Sequence, residues 1–306
     1  MPDCTPLHRV PVLVSAAACW GVGTVVTKQV LGDIAPLTLL PIQLLASCAF
    51  LVLVSRLSRT RIIWSPQMRR LTALGVLNPG MAYALALLGL SSISASMSVL
   101  LWATEPVLIL LLAVALLRER VSPVLVGSMA VAVLGVLLVV YQPGASGSGL
   151  GVVLLLAAVA ACALYTVLTR RLVLDDASLS VVLVQQAAAL GFALLLLAAV
   201  QLATGDALVA ASLTATDWLT AASSGVLYYG VAFWLYLIGL RQVSAVVAGA
   251  FITLVPIFGV AAGYLVGERL TSRQWLGGVV VVAAISVVAV WQGQAVPHDV
   301  RARRGS

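Results

Sequence analysis

The chain is built from apolar runs about 20 residues long, set apart by short stretches that hold nearly all of its charge and its Gly/Ser and Pro clusters. A helix of that length covers about 30 Å, the hydrocarbon thickness of a bilayer, and in lipid a helix satisfies all of its own backbone groups. Only 9% of the 306 residues are charged and 62% are hydrophobic, whereas a soluble domain carries roughly 25% charged residues. These proportions exclude a soluble enzyme, a secreted disulfide scaffold and a nucleic-acid binder. The runs fall near 12–31, 36–55, 70–90, 93–117, 122–141, 149–169, 179–203, 217–239, 243–267 and 272–292. The fold class expected is therefore all-α, with ten transmembrane helices. The connections are too short to hold a soluble domain, so the helix bundle itself must do the work.

The formal charge of +7 matters less than where the basic residues lie. On alternate connections, one side of the membrane receives Arg9, Arg56, Arg59, Arg61, Arg69, Arg70, Arg118, Arg120, Arg170, Arg171, Arg241, Arg301, Arg303 and Arg304. The other side receives Lys28, Arg269 and Arg273, so the split is 14 against 3 of the 17 Lys and Arg. The positive-inside rule then predicts a multi-pass protein of the inner, cytoplasmic membrane with both termini cytoplasmic. The polar start reads as the entry to a retained first helix rather than a signal peptide. Residues 1–11 and 293–306 are expected to be cytoplasmic tails.

A Gly/Ser-rich stretch, Gln142 to Gly149, divides five runs from five. Gly89-Leu90, Ser94-Ala95 and Pro106 recur 150 positions later as Gly239-Leu240, Ser244-Ala245 and Pro256, and Glu119 is echoed by Glu268. This spacing predicts a duplicated five-helix unit, 12–141 and 149–292. Because five is odd, the second copy enters from the opposite side, giving a 5+5 inverted repeat.

With Trp20-Gly21, Pro106 and Pro256, Glu119 before Ser122, Glu268 before Thr271, and Gly127 and Gly277 early in the following helices, the chain resembles the drug/metabolite transporter superfamily, specifically EamA-type exporters with two tandem repeats. The second half carries Ala163-Leu164 where the first has Trp20-Gly21, so any role of that pair is confined to the first half. The resemblance implies alternating access around a cavity between the repeats, with metabolites or amino acids as cargo.

Few residues can carry chemistry. Both histidines, His8 and His298, lie in the tails, and no metal-ligand spacing or phosphate-binding loop occurs. Neither catalysis, a metal nor another cofactor is expected, and transport must draw on a gradient. Of ten acidic residues only Glu105 lies in the middle of an apolar run, where a charge costs about 2.5–3.5 kcal/mol on insertion scales. At helical spacing it shares a stripe with Ser94, Ser98 and Trp102. Two readings are open: a carboxyl that ties helices together, or one that faces a cavity and holds a proton or a cationic cargo group. Pro106 and Pro256 are expected to break their helices and free backbone carbonyls. Trp20, Tyr83, Tyr228, Tyr229, Phe233, Trp234, Tyr236 and Phe251 are aromatic residues inside runs, candidates either for stacking on cargo or for packing. Gln43, Asn78, Gln185 and Gln186 read as interhelical hydrogen-bonding amides, and Glu119 as a surface cap or ion pair.

The function expected is a gradient-driven exporter of small organic metabolites, amino acids or related compounds. Its partners would be that cargo and the lipid bilayer, with a coupled proton as a candidate. Nucleosides or sugar conjugates as cargo, and a non-transporting membrane scaffold, are the alternatives. Nothing in the sequence specifies an oligomer.

Overall fold

The computed structural model describes residues 9–30, 34–60, 64–90, 92, 101–102, 104–119, 121–140, 148–172, 178–204, 213–265 and 272–302. They form an all-α bundle of ten rods. These are α1 (Arg9–Val30), α2 (Pro36–Leu57), α3 (Pro66–Gly75, then Val76–Met81 and Ala82–Leu90), α4 (Glu105–Leu112, then Ala113–Leu117) and α5 (Pro123–Val140). The second five are α6 (Gly149–Leu172), α7 (Ser178–Thr204), α8 (Ala215–Gly225, then Val226–Val231 and Ala232–Leu240), α9 (Ala245–Ile252 and Val255–Leu265) and α10 (Ser272–Ala302). Seven are long and apolar enough to cross a bilayer by themselves, and Glu105–Leu117, Pro123–Leu138 and Trp275–Val288 are shorter apolar helices. Their starts are written in the sequence. Ser65, Ser122, Ser148, Thr214 and Ser244 each accept a backbone N–H three residues ahead, covering a donor that the first helical turn cannot satisfy itself.

The two halves grip each other by exchange. A Cβ at Gly75 would run into the Gln185 backbone, and one at Gly225 into the Gln43 backbone. Gly80 lies against Phe192 as Gly230 lies against Phe50, and Gly89 against Leu155 as Gly239 against Leu13. In each pair the glycine recurs 150 positions on and its partner 142 positions on. Thus α3 packs on α6 and α7 while α8 packs on α1 and α2, the arrangement that an inverted duplication produces. Helices α5 and α10 pair with one another, Gly135 facing the Gly277 carbonyl. Leu53, Leu111, Leu134, Val153, Leu195 and Val279 are exposed around the outside, a belt that only lipid can solvate.

Three features differ from the sequence expectations. First, α3 and α8 are not continuous α-helices but pass through wide turns at Val76–Met81 and Val226–Val231, again 150 apart. In α3 the cause is Pro79, which lacks the N–H that a regular helix would use; its peptide bond with Asn78 is cis and Asn78 is extended (φ −149°, ψ 122°). In α8 the Tyr229 carbonyl accepts the Gln186 side-chain amide at 3.2 Å. Second, α10 continues to Ala302, past residue 292, so part of the segment read as a tail is helical. Hydropathy ends there, but helical hydrogen bonding does not depend on it. Third, the expected run 93–117 is not one helix: Leu101 and Trp102 are helical, a turn follows at Thr104 and a new helix starts at Glu105, while 93–100, including Ser94 and Ser98, and 103 lie outside the described residues.

Candidate functional site

The site is built where α4 breaks. Leu101 and Trp102 are helical; then the Thr104 N–H and hydroxyl both turn back to the Leu101 carbonyl at 3.0 and 2.6 Å. Glu105 opens the new piece, with Pro106 behind it in the first turn, where a missing N–H costs nothing. The carboxyl therefore sits at a helix N-terminus and not mid-helix as the hydropathy alone suggests. The dipole of the new piece offsets part of the cost of burying it.

Glu105 is only 8% exposed. It lies within electrostatic reach of the Cys162 thiol on α6 and of the Tyr228 and Tyr236 hydroxyls on α8. Among the described residues no cation stands against it and no side chain bonds to it. A buried carboxyl without a partner is costly unless something else binds it.

Around it runs a chain of aromatic rings. Trp102 stacks on Tyr83 at a centroid separation of 6.2 Å; Tyr83 meets Tyr228 and Tyr229 edge-on at 5.7 and 5.3 Å, and its hydroxyl donates to that of Tyr228 at 3.1 Å. Tyr229 stacks on Phe233 at 6.3 Å, Phe233 meets Trp20 edge-on at 5.3 Å, and Trp20 lies 5.1 Å from Tyr236. Five rods, α1, α3, α4, α6 and α8, each contribute at least one group. The wide turn of α8 places Tyr228 and Tyr229 side by side, at 5.0 Å, so that both reach Tyr83. The Trp20 Nε1–H is buried and has no acceptor among the described residues.

Of the residues singled out in the sequence, Glu105, Trp102, Trp20, Tyr83, Tyr229 and Phe233 come together. Trp234 does not join them: it is half-buried, packs on the core, and shares no ring contact with the network. Phe251 is fully buried in the core of α9, likewise without a ring contact. Ser98 falls outside the described residues. Pro256 is the second residue of the Val255–Leu265 piece, after a turn in which Thr253 and Leu254 donate to the Ala250 and Phe251 carbonyls. Gly21 on α1 presses against this piece, where a Cβ would come within 2.6 Å of the Gly259 nitrogen. Three of the four amides bond between helices as expected; Asn78 does not, because the extended backbone before Pro79 leaves its Oδ1 buried without a partner among the described residues. Gln43 bridges Thr27 and Ser224 at 3.1 and 2.8 Å, and Gln185 accepts the Tyr165 hydroxyl at 2.9 Å.

Sequence reasoning missed Tyr165 and Cys162. Tyr165 holds Phe233 at 6.2 Å, and Cys162 faces Glu105. Their spacing of three places both on one face of α6, but nothing in the run says that this face meets α4 and α8. No group of three His, Cys, Asp or Glu that could hold a metal occurs among the described residues.

Comparison with known proteins supplies the context. A solved crystal structure 17% identical in sequence superimposes with a TM-score of 0.79, covering 94% of this chain and 99% of that one. At this identity the likeness shows the fold alone. No curated protein matches. The model of the EamA-like transporter family matches twice, over residues 10–141 and 149–290. The chain therefore belongs to the EamA-like transporter family of multi-pass membrane proteins that carry small molecules.

Proposed function

We propose that the protein is a gradient-driven secondary transporter that exports small organic metabolites, amino acids or related compounds, across the cytoplasmic membrane by alternating access, with both termini cytoplasmic. One observation supports this most: Glu105, a buried carboxyl with no partner among the described residues, set within a chain of rings drawn from both halves of the molecule. A cationic amino group fits it twice over, through the carboxylate and through the faces of the surrounding rings. A proton fits the carboxylate equally well, so the same residue can carry either in turn, which couples cargo to a proton gradient. The Trp20 Nε1–H is a spare donor for a polar atom of the cargo. Pro106 and Pro256, at the breaks of α4 and α9, let the site-bearing pieces move relative to the rest of their helices.

The test is uptake into proteoliposomes of a panel of amino acids, simple amines, nucleosides and sugars, with and without a pH gradient. Accumulation of an amino compound only when the gradient is present is the expected result. Accumulation of nucleosides or sugars alone would replace the cargo class, and no gradient-dependent uptake of any compound would contradict the reading.

A further inference from the structure

The face that carries most of the arginines is also where α4 of one half is bonded to α9 of the other. Arg118 ends α4 in the left-handed region (φ 54°, ψ 35°), which a residue with a side chain keeps only where contacts hold it. This turn, closed by the Glu119 N–H on the Ala113 carbonyl at 3.3 Å, swings the Glu119 carboxylate onto the first turn of α9. One oxygen accepts the Ala245 N–H at 2.8 Å and the other the Val246 N–H at 3.2 Å. Ser244 Oγ takes the Val247 N–H at 3.3 Å, and the Ala248 N–H begins the regular ladder on the Ser244 carbonyl at 3.0 Å. The Ala245, Val246 and Val247 donors of the first turn are therefore satisfied, two of them by a residue of the other repeat. Nearby, Arg170 Nε donates to the Val243 carbonyl at 2.7 Å and lies within electrostatic reach of Glu119. Between this face and Trp20, one side of α1 is shut: Leu13, Ala16 and Ala17 are at most 1% exposed, and the Leu13 side chain fills the notch at Gly239.

We propose that Glu119 is a conformational latch: its carboxylate clamps α4 to the N-terminus of α9 in the closed state of the arginine-bearing face, and it releases α9 when the ring site opens to that face. The proposal rests on the alternating-access reading. It goes beyond it in assigning which contact gates which side. The bonds suit the role. They are charge-assisted and directional when made, yet when broken both the carboxylate and the N–H groups are at a face where water can replace them, so the net cost of release is small. Arg118 stores backbone strain that opposes the latch, which tunes the balance between open and closed.

The test needs no cargo. Ala17→Cys is introduced after Cys4, Cys19, Cys48 and Cys162 are replaced by serine, and its labelling by a membrane-impermeant maleimide is followed in vesicles of both orientations. From the arginine-bearing face, Glu119→Ala should label at least roughly fivefold faster. Arg118→Gly, which relieves the strain and keeps Glu119, should label at least roughly fivefold slower, in line with the cost of a left-handed non-glycine residue. Unchanged labelling from that face in either variant would overturn the latch, as would faster labelling in Arg118→Gly. If Glu119→Ala does not fold, Arg118→Gly alone decides. Faster labelling in Glu119→Ala beside intact gradient-driven transport in a Glu105 variant would leave the latch standing and remove the cargo reading; the converse pair of results would do the opposite.

Discussion

A carboxyl among seven rings, with no cation beside it among the described residues, is a poor way to hold helices together. A tie would be served at lower cost by the amides found nearby, such as Gln43 bridging Thr27 and Ser224. The network also separates rings that face the site from rings that pack elsewhere. Replacing Tyr83 by Leu removes three ring contacts. It should raise the KM for an amino cargo roughly thirtyfold, the worth of a desolvated cation–π contact of about 2 kcal/mol. The same change at Trp234, outside the network, should leave KM within about twofold. Concentration-dependent uptake by the two variants checks this, and equal effects would count against the ring network as the cargo surface. At this scale the sequence was legible where chemistry is scarce. Glu105 stands out because it is the one acid inside an apolar run. Trp234 and Phe251 read in sequence like site residues because both are aromatic residues in apolar runs, and only the azimuth of each helix separates them from Phe233. Tyr165 and Cys162 were hidden for the same reason.

Among the elements, contact between the halves depends on glycine at the crossings. A methyl group at Gly225 would meet the Gln43 backbone, which cannot move aside as a flexible side chain can. Gly225→Ala should therefore destabilise the protein by about 1–3 kcal/mol, the usual cost of overpacking. Gly127 faces open space on the outside of α5, so Gly127→Ala should instead stabilise by about 0.5–1 kcal/mol through helix propensity. Thermal melting in detergent distinguishes the two, and a loss at both positions would show that the crossings are not what makes Gly225 sensitive. Helix starts were readable from Ser, Thr and Pro. The wide turns were not, because Pro79 announces one in α3 while its counterpart in α8, Val226–Val231, contains no proline. That second turn is set by tertiary contacts, among them Gln186 on the Tyr229 carbonyl, and these lie 43 residues apart in the sequence.

Across the whole molecule, an odd number of helices in each half turns a duplication into an inversion, and the exchanged glycine contacts are its physical trace. The uneven distribution of basic residues predicts the orientation. Reporters fused after Arg61 and after Gly147 should fall on opposite sides of the membrane, the first inside and the second outside. Both on one side would overturn the topology. This scale was the most legible in the sequence, because hydropathy, charge placement and the 150-residue recurrence act over whole rods and tolerate local error. Which ends of the rods open, and in what order, depends on single contacts such as that of Glu119, and no periodicity records those.

The claim on which the rest depends is that Glu105 handles cargo or proton and is not structural glue. Glu105→Gln keeps the shape and removes the exchangeable charge. In proteoliposomes across about pH 5.5 to 8, the variant should reconstitute and melt like the wild type while gradient-driven uptake falls at least roughly tenfold. Wild-type gradient-driven rates in that variant at every pH would contradict the account.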